Sequence, residues 1–281
     1  MLFIYLTKYG LAYFVVIDLT VQAAAAPENR VVGGDHVTIQ EFPYVVAYTY
    51  RYPGPGITVQ RCVGALVSSW HVVTSGFCFT GAVLTNMQVR AGSTNSLNGG
   101  TVVNIRDFVK HPDYTEAPRS NDIAVTFLQT ALGISDVIGV LYLPPQNFFI
   151  PDGQSVKVVS WGFESENGPQ LETLKTVFLN KLSVSDCQAR YADTDAVVEI
   201  SDESLCAAAA GKGMCMGDSG APMVINQVLV GSSSVYLNCL SDDYPDVFTR
   251  TDRHTNWILE VAVPGAARKA GFVDAPRVSS M

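Results

Sequence analysis

The chain has 281 residues, of which 48% are hydrophobic and 16% charged, and this composition argues against a disordered chain. It suits one globular unit of roughly 200–250 residues with additional terminal segments. The formal net charge of −8 and the isoelectric point near 4.9 argue against nucleic acid as a partner, because phosphate binding requires clustered lysine and arginine side chains.

The N-terminal segment 1–26 is typical of a secretory signal peptide. Lys8 precedes an apolar stretch, and the small residues 23–26 supply a site where a signal peptidase could cut. A membrane anchor is the alternative, but Asp18 interrupts the apolar run, and no other segment offers the ~20 apolar residues that span a bilayer. We therefore predict a secreted, extracellular protein with no membrane contact.

The six cysteines of an exported chain predict disulfides rather than metal ligands. No Cys-x-x-Cys or His-Glu-x-x-His spacing occurs, so a zinc site has little support. Six cysteines can pair in fifteen ways, and their spacing alone does not choose among these pairings.

Short apolar or alternating runs follow one another along the chain, with Gly, Pro, Asn or Asp in the gaps between them. Because β-branched and aromatic residues dominate these runs, they predict an all-β sandwich or barrel. The proline-rich segment 143–153 is expected to connect two halves. The runs cover residues 44–50, 64–74, 86–92, 101–109, 122–128, 155–162 and 227–236.

One amphipathic helix is predicted near the C-terminus. Thr251 or Asp252 could cap it, and Trp257, Ile258 and Val261 share one face at helical spacing.

The stretch CMGDSGAP, residues 215–222, is the most specific motif in the chain. A serine between glycines on a tight turn exposes its hydroxyl, and the backbone N–H groups of Gly217 and Ser219 could form an oxyanion hole. A GDSG stretch by itself could also be only a turn.

Three further motifs accompany it, namely RVVGG at 30–34, NDIAV at 121–125 and VVSWG at 158–162. Together with the cysteine positions, these residues resemble the chymotrypsin/trypsin family of serine proteases over residues 31–262. The resemblance implies two antiparallel six-stranded β-barrels with a cleft between them and a C-terminal helix. It divides the chain into a signal peptide (1–26), a short propeptide (27–30), a protease-like domain (31–263) and a flexible tail (264–281).

The resemblance assigns a role to each residue of the motifs. Asp122 matches the aspartate that orients the catalytic base, Ser219 matches the nucleophile, and Gly217 and Ser219 match the oxyanion donors. It also implies three disulfides, Cys62–Cys78, Cys187–Cys206 and Cys215–Cys239.

The catalytic base of the family immediately precedes the cysteine at position 78, where this chain has Phe77. A phenyl ring can neither accept a proton from a serine nor donate one to a leaving amine. The chain has four histidines, and we expect none of them to replace the base. They are His36, His71, His111 and His254.

Asp122 loses its imidazole partner if the base is absent. The resemblance implies that it also accepts hydrogen bonds from backbone N–H groups and from a serine hydroxyl, for which Ser234 matches. We therefore expect the carboxylate to persist as a structural remnant.

The resemblance also implies activation by proteolysis. Cleavage after Arg30 by another trypsin-like protease would free the amine of Val31, which would pair with Asp218 inside the domain. The alternative is that this motif is inherited without a working switch.

Residues of the specificity pocket depart from those of trypsin. Gly213 stands where trypsin has an acid, Asp246 supplies an acid elsewhere, and Tyr236 follows Ser234 on the strand that would pair with substrate. A simple pocket for Lys or Arg is therefore not expected. The calcium loop of the family has no counterpart in residues 91–100, so we expect no metal and no other cofactor.

These observations predict a monomeric, secreted serine protease homologue that is catalytically inactive and binds a protein or peptide in its cleft. The alternatives are a digestive-type endopeptidase of non-tryptic specificity with residual activity, and a secreted scaffold with no function in the cleft.

Overall fold

The computed structural model describes residues 34–263 except Val197 and Leu240, so the predicted signal peptide, propeptide and tail lie outside the described residues. Fifteen strands and two helices are found in this part of the chain. Strands of the first half are β1 (Asp35–His36), β2 (Val45–Tyr52), β3 (Ile57–Ser68), β4 (His71–Thr74), β5 (Met87–Ala91), β6 (Thr101–Lys110), β7 (Thr115–Glu116), β8 (Arg119–Ser120) and β9 (Ala124–Leu128). Elements of the second half are β10 (Ser155–Ser160), β11 (Lys175–Lys181), α1 (Val184–Tyr191), β12 (Ser204–Ala208), β13 (Pro222–Ile225), β14 (Val228–Val235), β15 (Asp246–Arg250) and α2 (Thr251–Ala262).

The strands form two antiparallel barrels, as the resemblance implied. The first closes in the order β2-β3-β4-β9-β6-β5. The second runs β11-β10-β13-β14-β15-β12 and closes through the pairing of β12 with β11, while β1 adds to the outer edge of β11. A separate two-stranded hairpin, β7–β8, precedes β9 in the chain, and Arg119 of β8 contacts both Phe77 after β4 and Ser234 of β14.

Alternating side chains of the strands fill the interior. In β5, Met87, Val89 and Ala91 are buried while the residues between them are more exposed, which is the period of a strand with one face in the core. One apolar cluster lies within the first barrel, and a larger one extends from the second barrel into the first. None of the helices in the described ranges is long and apolar enough to cross a membrane.

Three local details correct or add to the sequence predictions. The run 64–74 is two strands, because residues 69–70 turn the chain between β3 and β4. The helix α1 was not predicted, although Ser183 caps it by accepting a hydrogen bond from the N–H of Asp186 at 3.0 Å. At α2 the N-cap residue is Arg250 rather than the predicted Thr251 or Asp252. The Arg250 guanidinium has no acceptor for helix N–H groups and pairs instead with the buried Asp252 carboxylate.

The three disulfides are Cys62–Cys78, Cys187–Cys206 and Cys215–Cys239, the same pairs that the resemblance implied. No free cysteine is left in the chain. The predicted face of α2 is also confirmed, because Trp257, Ile258 and Val261 all pack on the large apolar cluster.

Candidate functional site

A cleft with a volume of about 480 Å³ lies where the two barrels and the β7–β8 hairpin meet. The predicted nucleophile Ser219 and Phe77 both line it. The remaining lining residues are Arg61, Glu116, Arg119, Val198, Met216, Gly217, Ser234, Val235 and Tyr236.

Asp122 lies behind this cleft and is completely buried. One carboxylate oxygen accepts from the Phe77 N–H at 2.8 Å, and the other accepts from the hydroxyls of Ser75 and Ser234, each at 2.7 Å. The predicted backbone and Ser234 contacts are therefore present. Sequence reasoning missed Ser75, which stands two residues before Phe77 and could have been noticed only from that proximity.

Phe77 belongs to a short 3-10 turn, Gly76–Phe79, that follows β4. Ser75 caps this turn by accepting a hydrogen bond from the Phe77 N–H at 3.1 Å. The Phe77 side chain is partly exposed, and it faces the same cleft as Ser219. The position that the resemblance reserves for an imidazole thus presents a hydrocarbon ring.

The loop that carries Ser219 is seated against the first barrel. The Val63 N–H donates to the Ser219 carbonyl at 2.9 Å. Gly220 has φ +83°, and a Cβ at this position would lie 2.1 Å from the Val63 carbonyl oxygen. Only glycine permits this close approach, and the approach fixes the position of the Ser219 backbone relative to the first barrel.

The predicted oxyanion donors remain available. Within the described residues, the N–H groups of Gly217 and Ser219 donate no hydrogen bond. The Gly217 carbonyl is held by the Gln60 amide at 2.8 Å, and Gln60 in turn contacts Gln170. This glutamine pair was not predicted, because a buried glutamine in a strand has no distinctive sequence pattern.

Asp218 points away from the cleft into the second barrel and is 5% exposed. It accepts from the Ser160 hydroxyl, from the Gly162 N–H at 2.9 Å and from the Cys215 N–H at 2.8 Å. Burial raises the pKa of this carboxyl to about 6, because a charge in the interior loses its hydration. The described residues include no salt-bridge partner for it. Its predicted partners in activation, Arg30 and Val31, lie outside the described residues.

The four predicted pocket residues separate into two groups. Ser234 and Tyr236 line the cleft, whereas Gly213 and Asp246 are buried and do not. Asp246 accepts from the Met214 N–H at 2.9 Å. Burial, followed by the charge of nearby Asp218, raises the pKa of Asp246 to about 8. A neutral carboxylic acid behind the cleft would not attract a basic side chain as a carboxylate does.

The four histidines of the chain all fall within the described residues, and none lines the cleft. His36 is exposed on β1, and the ring of His71 packs on the outside of the first barrel against Phe127. The rings of His111 and His254 contact each other, with centroids 4.9 Å apart. Among residues 34–263 as described, no three His, Cys, Asp or Glu side chains are grouped to hold a metal ion.

Arg119 lines the cleft and was not singled out from the sequence. It comes from β8, and its guanidinium carbon lies 3.9 Å from the centroid of the Phe77 ring. The Nη1 group also donates to the Ser234 carbonyl at 2.8 Å. This carbonyl belongs to the strand that, by the resemblance, would pair with a substrate backbone.

Comparisons with known proteins agree with this architecture. A family model described as Trypsin matches residues 31–258. Alkaline trypsin C of Manduca sexta is 32% identical over 240 residues, which cover 84% of this chain and 93% of that protein. The vitellin-degrading protease of Bombyx mori is 30% identical over 259 residues, which cover 91% and 95%. A crystal structure of the scabies mite inactivated protease paralogue S-D1 matches the fold with a TM-score of 0.73 at 23% identity, covering 82% of this chain and 96% of that one.

Proposed function

This chain belongs to the trypsin family of serine proteases, and from that premise we propose that it is a secreted member that binds a protein or peptide without hydrolysing it. The observation that carries the proposal is the shared cleft of Phe77 and Ser219. Serine becomes a nucleophile only when a neighbouring base removes its proton, and no histidine lines this cleft of the described structure.

The size of the effect favours inactivity over weak activity. In subtilisin, an unrelated serine protease, removal of the histidine costs about 2 × 10⁶ in turnover, which corresponds to roughly 8–9 kcal/mol. An oxyanion hole and substrate binding alone retain about 10³–10⁴ over the uncatalysed reaction. Such a residual rate is negligible for a peptide bond.

The hydrogen bonds of Asp122 support the proposal independently. Two serine hydroxyls and one backbone N–H already satisfy this carboxylate, so the site does not need an imidazole to keep its geometry. A family member can therefore lose the base and still fold around the same cleft.

The position of Arg119 also supports binding rather than turnover. A substrate that pairs with the Ser234 carbonyl must first displace the guanidinium that holds it. A ligand that interacts with the guanidinium itself faces no such competition.

Secretion and activation are further parts of the proposal. Three disulfides are typical of proteins that mature outside the cytosol. A buried Asp218 carboxyl with a raised pKa is a suitable receptor for the Val31 amine after cleavage at Arg30, because a cation beside it would favour the charged form.

One observation favours a second candidate, an endopeptidase of non-tryptic specificity. The N–H groups of Gly217 and Ser219 make no hydrogen bond within the described part of the chain, as an oxyanion hole requires. No histidine of the described residues lines the cleft to accept the proton of the serine, so we rank this candidate lower.

The deciding experiment compares casein hydrolysis by wild-type protein and by Ser219→Ala, both cleaved after Arg30. The proposal requires equal, background rates for the two proteins. Wild-type hydrolysis at a rate typical of digestive proteases, abolished in Ser219→Ala, would establish the second candidate instead.

A further inference from the structure

The Arg119 side chain carries a positive charge that the described residues do not neutralise. A guanidinium has five N–H donors, and Arg119 uses one of them, on the Ser234 carbonyl. No carboxylate of the described chain lies within 4.0 Å of its nitrogens, although Glu116 is its register partner across the hairpin.

The Phe77 ring holds this guanidinium in place. An arginine over an aromatic face is attracted by the electrons of the ring, and stacking fixes the plane of the guanidinium. The edge of a stacked guanidinium remains free to bind a carboxylate through two parallel N–H···O bonds. The phenyl ring thus orients a cation in the cleft although it cannot contribute to proton transfer.

Other groups in the cleft favour an anion as well. The N–H groups of Gly217 and Ser219 line the same cavity of about 480 Å³ and lack acceptors within the described residues. Arg61 also lines it, and among the described residues its guanidinium donates only to the carbonyls of Cys78 and Thr80, neither of which carries a charge. The cleft lining therefore contains two arginines and one glutamate, whereas the chain as a whole has a net charge of −8.

We propose that the cleft recognises an acidic peptide, with the carboxylate of an Asp or Glu side chain bound to Arg119 on the Phe77 ring. Arg119 occupies the Ser234 carbonyl, but Val235 and Tyr236 beyond it also line the cleft. Their backbone favours a peptide over a small anion, because an extended chain can pair with a strand edge. The inference rests on the proposed function, since it requires a cleft that binds its ligand without cutting it.

The test uses two fluorescein-labelled heptapeptides, Ala-Ala-Ala-Glu-Ala-Ala-Ala and its Gln counterpart, titrated with the mature protein at low salt and followed by anisotropy. We expect the Glu peptide to bind at least ~10-fold more tightly than the Gln peptide. Arg119→Gln should reduce this preference to less than about twofold. Arg119→Lys should retain part of it, because lysine keeps the positive charge but lacks the paired N–H donors that bind both carboxylate oxygens.

Arg106→Gln is the matched control. Arg106 is an exposed arginine that also lies over an aromatic ring, that of Phe127 at 5.4 Å, but it does not line the cleft. Its replacement should leave the preference for glutamate unchanged, and circular dichroism of each variant should match that of the wild type.

Three results of the peptide titrations would overturn the inference. They are equal affinity for the two peptides, no saturable binding of the Glu peptide, and a preference that survives in Arg119→Gln. Displacement of the Glu peptide by inorganic phosphate at concentrations where acetate has no effect would instead identify a phosphate site and overturn the peptide assignment. Hydrolysis of either heptapeptide that Ser219→Ala abolishes would refute the proposed function, and it would be seen separately from the binding preference.

Discussion

The guanidinium carbon of Arg119 lies 3.9 Å from the centroid of the Phe77 ring. A cation therefore covers one face of this ring, and both side chains line the cleft. A histidine ring that must exchange protons with Ser219 would be disfavoured beside this fixed positive charge, because the charge opposes protonation of the imidazole. The pair Arg119 and Phe77 therefore favours ligand binding in the cleft and disfavours proton transfer to or from Ser219. This relationship makes the chemistry of the cleft testable through both side chains.

The first prediction concerns Phe77→His in protein cleaved after Arg30. Asp122 is already in place to orient an imidazole, so labelling of Ser219 by a fluorophosphonate should rise by about 10²-fold or more. The double variant Phe77→His, Ser219→Ala should show no labelling. Wild-type protein that is labelled as fast as Phe77→His would show that the phenyl ring is not what limits the serine.

A second prediction separates substrate access from proton transfer. In the Phe77→His background, Arg119→Ala should raise kcat/KM for a peptide substrate by roughly tenfold, because the Ser234 carbonyl loses its charged competitor. Labelling by the small fluorophosphonate should increase much less, since it does not pair with that strand. Arg106→Ala serves as control, and unchanged peptide kinetics in the Arg119 variant would contradict the expectation.

Stability gives a third prediction. Asp122→Ala leaves two serine hydroxyls without their acceptor in the interior and removes one of the two acceptors of the Phe77 N–H. This should lower the free energy of unfolding by about 3 kcal/mol or more. Asp136→Ala, at an exposed position, should change it by less than about 0.5 kcal/mol. Urea unfolding at pH 7 measures both, and a loss below about 1 kcal/mol for Asp122→Ala would show that the network is not important for stability.

The buried acid behind the cleft predicts a pH dependence. The folded pKa of Asp246 is about 8 against a reference of 3.8, so between about pH 4 and 8 the folded state keeps a proton that the unfolded state has lost. Stability must therefore fall as pH rises through this window, by up to about 1.4 kcal/mol per unit, and then level off. Asp246→Asn removes this dependence. The titration of Asp218 remains in both proteins, so comparing wild type with the variant isolates the contribution of Asp246.

The measurement is urea unfolding of the wild type and of Asp246→Asn at pH 5 and at pH 7. The advantage of Asp246→Asn over wild type should grow by about 2 kcal/mol or more between these two conditions. Parallel pH profiles for the two proteins would mean that Asp246 is ionised in the folded state.

The last prediction concerns the proposed activation. If the Val31 amine pairs with Asp218 after cleavage at Arg30, the pKa of Asp218 should fall from about 6, and the cleaved protein should gain stability above that pH. Asp218→Asn should abolish the gain, and Arg30→Gln should resist cleavage. A cleaved wild type whose melting temperature at pH 8 equals that of the uncleaved chain would argue against the switch.

Part of the fold and of the site was predictable because it depends on local pattern. Alternating apolar residues placed β2, β5 and β6 within a few residues of their observed bounds. The GDSG motif and its companions brought Ser219, Asp122 and Phe77 to one place, since each motif occupies a fixed position in the barrels of the family. The helix α1 was missed because its eight residues bury only Cys187 and Tyr191, too few for a clear periodic signal.

The sequence by itself determined an all-β fold, because strand periodicity is a property of the chain read in one dimension. The order of its motifs carried the resemblance, and the resemblance implied two barrels and Phe77 at the position of the base. Only the tertiary structure decided that Arg119 covers that ring and that Asp246 is buried behind the cleft instead of lining it. Arg119 and Ser234 are 115 residues apart, and their hydrogen bond exists only because the hairpin β7–β8 is folded against the second barrel. The physical reason is that charge pairing and desolvation depend on distance in space, which no spacing along the chain specifies.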